Sequence, residues 1–294
     1  MLKLRVGYLL AGITTGLILV FSFLWSFPDG KLHIVYCDVG QGDAIYIRFP
    51  DGRDMLVDGG PNDSVLQCLG KHMPFWDRNL DLVVLSHPER DHAGGLVSVF
   101  QRYHVGYFVR SNIDKSTDTD KKLKSIVVEK KIPEKLVTAN ERITIGKAKL
   151  AVVWPSEAQI AMDRDQNILG AATESVNEDC VVFWLRYGSF DAFFPGDSDT
   201  AVSGNYIGEA LADKDVELLK VPHHGSKTGM NTALLDWIHP KVAVISVGKN
   251  SFGHPAPEAL KLLADRKTQV LRTDQSGDIH VVSDGKNWQV ITAE

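Results

Sequence analysis

Short apolar segments recur along the chain from residue 33 onward, and most of them are followed by turns. Their length and their β-branched content are typical of strands. Helical patterns separate only some of them, so the strands come in consecutive groups. This order favours an α/β (α+β) fold of two mixed sheets covered by helices over one alternating parallel sheet. The predicted strands are residues 33–37, 44–49, 55–57, 82–85, 150–154, 181–187, 191–195, 217–221, 242–247, 269–271, 279–282 and 288–291, and the predicted helices are residues 64–72, 95–103, 121–129, 200–212, 232–238 and 257–264.

The N-terminal segment differs from the rest, because residues 6–28 contain no charged residue. As a helix this segment would be about 34 Å long, against roughly 30 Å for the hydrocarbon core of a membrane. We therefore expect residues 1–30 to be one transmembrane helix and residues 31–294 to be one soluble domain. Two alternatives are a cleaved signal peptide and a buried core helix. The segment ends in Phe27 and Pro28, which are poor cleavage residues.

The charges around this segment predict an orientation. Lys3 and Arg5 precede it, whereas Asp29 and Lys31 nearly cancel after it. Positive residues favour the cytoplasmic side. The expected protein is thus a single-pass membrane protein whose folded domain is extracytoplasmic.

The charge balance limits the possible partners. The formal net charge is −5, whereas a protein that binds duplex DNA non-specifically is normally basic. The balance is compatible with an enzyme that has a local basic patch. Residues 114–135 are rich in lysine and acidic residues, and we interpret them as a solvated helix and loop, with a patch that guides a phosphate-bearing substrate as the alternative.

The chain contains three cysteines, Cys37, Cys68 and Cys180. Their spacing does not match a metal site, and an odd number does not form a complete disulfide framework. Because two of them lie in apolar, strand-like segments, buried free thiols are the expected state.

The strand predicted at residues 82–85 leads directly into a group of polar residues: His87, Glu89, Asp91 and His92. Residues 87 and 89 can point to the same side of an extended segment, and residues 91 and 92 then turn into a helix. One short segment thereby offers ligands to two neighbouring positions, as a two-metal site requires.

Four further predicted strands also lead into acidic residues or histidines, which is the usual place for the active site of an α/β protein. Asp58 and a glycine turn follow one strand, and Asp197 follows another in the same way. The remaining two strands are followed by the pair His223 and His224 and by His254.

At these residues the sequence resembles the metallo-β-lactamase superfamily, and more narrowly the hydrolase domain of ComEC-type competence proteins. The resemblance implies an αββα sandwich, a metal-activated water and a phosphodiester substrate. Full-length members also carry a multi-helix channel, so a separate channel protein is an expected partner. The resemblance covers roughly residues 32–284, and its motifs are DVGQGDA (38–44), VDGG, SHPxxDHxGG, PGD, KVPHHGS, FGHP and TDQSGDI (273–279).

The resemblance also implies roles for the metal ligands. His87 and Glu89 match the ligands of the first metal, and Asp91 and His92 match a pair that binds the second metal. Asp197 matches the carboxylate that bridges the two metals.

The remaining roles lie around this set of ligands. One of His223 and His224 matches the last metal-binding histidine, and Asp58 matches an acid that supports the ligand segment, although it could merely close a turn. His254 matches a histidine near the mouth of the pocket, with transition-state contact or proton delivery as its role and simple packing as the alternative. The flanking Asp38 and Asp43 are interpreted as turn residues, as is Gln41.

The sequence departs from the family pattern in two places. Glu89 stands where the family has a histidine, and no histidine occurs between His104 and His223, where another ligand is expected. Asn177, Glu178 or Asp179 occupies that stretch. A first site rich in oxygen ligands would favour Mn²⁺ or Mg²⁺, whereas the second site suits Zn²⁺. We therefore expect two divalent ions, Zn²⁺ or Mn²⁺, with a single ion as the alternative.

The leading hypothesis for function is a metal-dependent phosphodiesterase or nuclease that acts on single-stranded DNA during uptake. One alternative is a lactone or thioester hydrolase of the same fold. Another is a membrane-tethered nucleic-acid-binding module whose metal site is degraded, which the missing histidine would favour and the retained Asp197 would disfavour.

Overall fold

The computed structural model describes residues 2–25, 28–112, 117–168, 176–207 and 215–292. Short 3₁₀ helices at Val176–Asp179 and Pro222–Gly225 accompany the longer elements. The α-helices are α1 (Leu2–Trp25), α2 (Ser64–His72), α3 (Arg90–Ala93), α4 (Leu96–Arg102), α5 (Asp118–Glu129), α6 (Glu157–Ile168), α7 (Thr200–Tyr206), α8 (Thr232–Ile238), α9 (Pro257–Asp265) and α10 (Thr273–Ser276). The strands are β1 (Leu32–Tyr36), β2 (Ile45–Arg48), β3 (Asp54–Val57), β4 (Asn79–Leu80), β5 (Leu82–Leu85), β6 (His104–Val105), β7 (Phe108–Arg110), β8 (Glu134–Leu136), β9 (Arg142–Ile145), β10 (Ala148–Trp154), β11 (Val182–Tyr187), β12 (Phe190–Phe194), β13 (Leu218–Lys220), β14 (Val242–Ile245), β15 (Gln269–Arg272), β16 (Ile279–Ser283) and β17 (Trp288–Thr292).

Two large mixed sheets form the centre of the fold. The first has eight strands in the order β17-β16-β1-β2-β3-β5-β7-β8, and the second has seven in the order β15-β14-β13-β12-β11-β10-β9. Three groups of buried apolar side chains hold the sheets and helices together in layers. One group joins the inner faces of both sheets, and it includes Ile34 of the first sheet and Phe183 of the second. The other two groups join the outer face of each sheet to its helices. The predicted αββα sandwich is therefore confirmed.

The strand directions bring the polar segments to one edge of the sandwich. Strands β3, β5 and β7 run parallel in the first sheet, and strands β12, β13 and β14 run parallel in the second. Residues that follow these strands, such as Asp58, His87 and Asp197, therefore meet at the same edge.

Most predicted elements occur in the structure, with boundary shifts of a few residues. The differences concern helices α3, α6 and α10 and the short strands β4 and β6–β9, which were not among the predicted elements. Strand β8 has only exposed residues at the end of its sheet, so it lacks the apolar alternation that marks a strand. The helix predicted at residues 200–212 ends at Tyr206, and residues 208–212 lie outside the described residues.

The N-terminal segment is helical, as predicted, over Leu2–Trp25. Among the helices of the described ranges, none combines the length and the apolar character needed to cross a membrane. The predicted transmembrane anchor at residues 1–30 is therefore not supported.

The prediction of three free thiols was wrong for two of the cysteines. Cys37, directly after β1, forms a disulfide with Cys68 of α2, and the Cα atoms of the two residues are 5.8 Å apart. Cys180 is a buried free thiol, as predicted. The two bonded cysteines are 31 residues apart in sequence, and only the packing of α2 against the first sheet brings them together.

Candidate metal centre

Four buried side chains form the centre of the site. One ligand atom from each of Asp43, His92, Asp197 and His224 lies within 4.8 Å of the others. The Asp197 carboxylate lies between the two imidazoles, because its Oδ2 atom is 3.3 Å from His92 Nε2 and 3.2 Å from His224 Nε2. Asp91 reaches the same position, with its Oδ2 atom 3.3 Å from His224 Nε2 and 4.0 Å from His92 Nε2.

Three histidines of the site are oriented by hydrogen bonds at the ring nitrogen Nδ1. His92 Nδ1 donates to Asp58 Oδ2 at 2.8 Å, and His224 Nδ1 donates to the carbonyl of Ser246 at 2.9 Å. His87 Nδ1 is 3.0 Å from the Ser86 hydroxyl. With Nδ1 as the donor, each neutral ring presents an unprotonated Nε2 atom, as metal-binding histidines do.

The Nε2 atoms of His87, His92 and His224 are buried and have no hydrogen-bond partner. Buried polar atoms in native proteins almost always have a partner, so an orphaned imidazole nitrogen needs an explanation. Carboxylate oxygens surround these nitrogens, and the mixture of imidazole and carboxylate is a donor set that divalent transition metals accept. The residues at this site therefore fit the metal ions that the resemblance implies.

The carboxylate of Asp58 contacts both ends of the segment that carries the candidate ligands His87 to His92. Its Oδ1 atom accepts from the Ser86 amide, and its Oδ2 atom accepts from the Ser86 hydroxyl, both at 2.7 Å. Its Oδ2 atom also accepts from His92. The carboxylate thus contacts the backbone just before His87 and the imidazole at the end of the segment, which is the geometry expected of a supporting acid.

A second group of candidate ligands lies beside the first. The rings of His87 and His92 are 4.0 Å apart between centroids, and His87 Nε2 is 3.9 Å from Glu89 Oε2. His87 is fully buried, whereas the side chain of Glu89 is 36% exposed. The structure therefore brings these two predicted first-metal ligands together at the more open side of the centre.

The two adjacent histidines have different surroundings. Both adopt left-handed backbone angles, with φ 48° at His223 and 53° at His224, and this sharp turn separates their rings. His224 lies in the buried group, whereas the side chain of His223 is 27% exposed. The ring of His223 instead lies 5.5 Å from the ring of His254. Of the two, His224 lies closer to Asp197 Oδ2, with its Nε2 atom at 3.2 Å against 3.9 Å for His223 Nε2.

Sequence reasoning missed two residues of this centre. Asp43, interpreted as a turn residue, is buried and belongs to the group of four. Lys220 is also buried, and its Nζ atom contacts Asp43 Oδ2, Asp197 Oδ1 at 3.1 Å and the carbonyl of Gly196 at 2.7 Å. Both residues lie in motifs that carry the resemblance, and a lysine at the end of an apolar strand was a signal. Asp38 does shape a turn, because it accepts from the Gly40 amide.

The histidines of the centre differ in the direction in which their surroundings shift the pKa. Burial lowers the pKa of His87 to about 4, helped by the nearby His92. Burial would also lower the pKa of His92 and of His224, but the carboxylates around each ring together outweigh this and raise both pKa values well above the usual one. These carboxylates are Asp197 with Asp58 at His92, and Asp197 with Asp43 at His224. For Asp197, burial opposes ionisation, yet His224 and His92 hold its pKa well below the usual range. In metal-free protein, His92 and His224 therefore hold protons that offset part of the charge of the Asp197 carboxylate.

The stretch that replaces the missing histidine is a 3₁₀ helix, Val176–Asp179. The carboxylate of Asp179 is buried, but the group of four does not include it. The side chain of Asn177 lies outside the described residues.

Comparison with known proteins places these residues in a family. Residues 37–249 match the metallo-beta-lactamase superfamily. The chain is 26% identical to ComE operon protein 3 of Bacillus subtilis over 283 residues, which cover 90% of this chain and 34% of that protein. It is 24% identical to Competence protein ComA of Neisseria gonorrhoeae over 259 residues, 85% of this chain and 32% of that protein. The chain thus spans about a third of the length of these relatives.

A solved structure agrees with the fold. The metallo-beta-lactamase fold protein YhfI from Bacillus subtilis superposes with a TM-score of 0.55 at 14% identity, over 86% of this chain and all of that chain. The predicted resemblance to the hydrolase domain of competence proteins is confirmed, and the chain belongs to the metallo-beta-lactamase superfamily.

Proposed function

We propose that this protein is a metal-dependent phosphodiesterase that cleaves single-stranded nucleic acid. The observation that carries the proposal is the set of three buried imidazoles whose Nε2 atoms lack partners beside ionised carboxylates. When bound there, divalent ions lower the pKa of a water and stabilise the charge that develops on a phosphoryl oxygen.

The side chains of the centre divide this work between them. His92, His224 and Asp91 would hold one ion, and His87 and Glu89 would hold the other. Asp197 Oδ2 lies close to His92 and His224, so this carboxylate would help to hold the ion at these two histidines, and its role as the bridge to the other ion follows from its match to the family's bridging carboxylate. Asp58 keeps the ligand segment in place through Ser86 and His92.

The mouth of the site offers a group for proton transfer. His254 lies beside His223, and its buried Nδ1 atom has no hydrogen-bond partner. Burial and the neighbouring His223 lower the pKa of His254. A histidine with a lowered pKa is a stronger acid once protonated, so His254 is suited to deliver a proton to the leaving oxygen.

The disulfide supports a compartment for this reaction. Disulfides persist in oxidising environments and are rare in the cytosol. The Cys37–Cys68 bond therefore supports an extracytoplasmic domain. Together with the relative named as a competence protein, this supports single-stranded DNA as the substrate.

Activity assays on metal-stripped protein test the proposal. Mn²⁺ or Zn²⁺ should restore cleavage of a single-stranded oligonucleotide, and Asp197→Asn should stay inactive with either ion. Cleavage of lactones or thioesters without any phosphodiester cleavage would favour the other hydrolase class. Metal binding and DNA binding without turnover of any substrate would favour the non-catalytic module.

A further inference from the structure

An exposed aromatic side chain lies at the mouth of the metal centre. Phe252 is 72% exposed, although most phenylalanines of a folded domain lie in the core. Its ring stacks on His254, with centroids 5.7 Å apart and planes inclined by 30°. The ring of His254 is in turn 5.5 Å from that of His223. A row of rings therefore leads from the metal centre to solvent.

The loop that carries Phe252 is held in one conformation. The amide nitrogen of the Asn250 side chain donates to the carbonyls of Gly248 and His254 at 2.9 and 2.8 Å. Its carbonyl oxygen accepts from the backbone amides of Phe252 and His254, both at 3.0 Å. Four hydrogen bonds from one side chain thus fix the backbone on both sides of Phe252.

The ring itself is open to solvent, because Phe252 is 72% exposed. Apart from its chain neighbours Phe252 and His254, nothing lies within 4 Å of the position that a Cβ atom would take on Gly253. Lys249, three residues before Phe252, is exposed on the same loop. Proteins build sites for single-stranded nucleic acid from aromatic faces on which bases stack and from nearby cations.

We propose that Phe252 stacks on a nucleobase of the substrate next to the phosphodiester held at the metal centre. This inference rests on the proposed function and specifies how the same site recognises its substrate. The net charge of −5 gives the protein little general attraction for phosphates. Stacking supplies affinity that does not depend on charge, and it accepts any base because every base has an aromatic face.

The exposed pair Phe75 and Trp76 provides a matched control. Both rings are solvent-exposed and contact each other, but Phe75 does not belong to the row of rings at the metal centre. Because Phe252 is mostly exposed, Phe252→Ala should leave the core intact. Equal melting temperatures of wild type, Phe252→Ala and Phe75→Ala would check this.

Binding is measured on the full chain with Ca²⁺ as the divalent ion and an oligothymidylate that carries one 2-aminopurine. The base fluorescence should fall on binding to wild type, because stacking quenches it. Phe252→Ala should lose this quenching and weaken binding about tenfold, Phe252→Trp should restore both, and Phe75→Ala should resemble wild type. The preference for this oligomer over one with abasic sites should fall by the same factor in Phe252→Ala.

The outcomes separate this inference from the proposed function. If wild type and Phe252→Ala show the same preference for the base-bearing oligomer over the abasic one, the stacking role is overturned, even if the Mn²⁺-loaded protein cleaves DNA. Quenching that depends on Phe252 in a protein that cleaves no phosphodiester would support the stacking role and overturn the hydrolase. Wild type that neither quenches nor cleaves would overturn both.

Discussion

The two candidate metal positions lie side by side but are built differently. The position of His92, His224 and Asp197 is buried, and Asp43 and Lys220 lie against it. The position of His87 and Glu89 has one imidazole and a carboxylate that is 36% exposed.

This difference indicates unequal metal binding. The buried position combines two imidazoles with two carboxylates, and its rings are oriented by hydrogen bonds, so little reorganisation accompanies metal binding. The more open position offers mainly oxygen ligands, which give Zn²⁺ less advantage over Mn²⁺. We expect one ion to be held tightly and the other to exchange readily.

The largest effect is expected at Asp197, which we propose is shared by both positions. Asp197→Asn removes the charge between His92 and His224 and should reduce phosphodiesterase activity by more than about 100-fold, because even outer partners of metal ligands cost 10–100-fold. Metal content measured on the purified variant should fall at both positions. Two ions bound at wild-type affinity would contradict a bridging role.

The disulfide is expected to stabilise the fold next to the buried position, because Cys37 lies at the start of the loop that carries Asp43. Replacing both cysteines by serine should lower the free energy of unfolding by about 2–4 kcal/mol, as measured by urea unfolding of the metal-stripped protein. Cys180→Ser serves as the control, since this thiol is free. Unchanged stability of the double variant would show that the bond contributes nothing.

Metal titration tests the inequality directly. A hundredfold excess of ion over its Kd should stabilise the fold by about 2.7 kcal/mol, which corresponds to roughly 5–10 °C in Tm for a domain of this size. Calorimetry should resolve one tight and one weak ion. Two ions of equal affinity would contradict the expected difference between the two positions. A Tm that chelators leave unchanged would contradict metal binding at this centre.

Glu89→His should make the metal preference of the more open position resemble that of the buried position. The added imidazole favours Zn²⁺, so the ratio of Mn²⁺-supported to Zn²⁺-supported activity should fall about tenfold. Glu89→Gln is the control, because it removes the charge without adding an imidazole. Equal ratios in wild type and both variants would mean that Glu89 does not bind metal.

The smallest effect concerns His280, which lies away from both positions against His33 on β1. Burial and the neighbouring histidines lower its pKa from 6.5 to about 4. Above pH 6.5 the residue is neutral in both states and has no effect. As pH falls from 6.5 to 4, the unfolded state takes up the proton first, so stability is lost across this window.

His280→Gln should therefore reduce the fall in Tm between pH 7 and pH 4.5 in metal-stripped protein. His239→Gln, at the exposed end of α8, is the control. An unchanged pH profile in the His280 variant would show that His280 is not a source of the acid sensitivity.

The local sequence was sufficient for most of the framework. Apolar segments of strand length predicted the two sheets, and α2 and α8 begin and end where the pattern placed them. The segment from His87 to His92 was also recognisable, because its ligands are adjacent in sequence and follow one strand. Such features depend on neighbouring residues, which a sequence shows directly.

Only the tertiary structure decided how distant residues combine. The different burial of His223 and His224 depends on left-handed backbone angles, and the burial of Asp43 depends on Lys220, which approaches from the other sheet. The Cys37–Cys68 bond likewise depends on where α2 packs. Each of these contacts joins segments that are far apart in sequence, so its formation depends on the packing of the whole sandwich rather than on any local pattern.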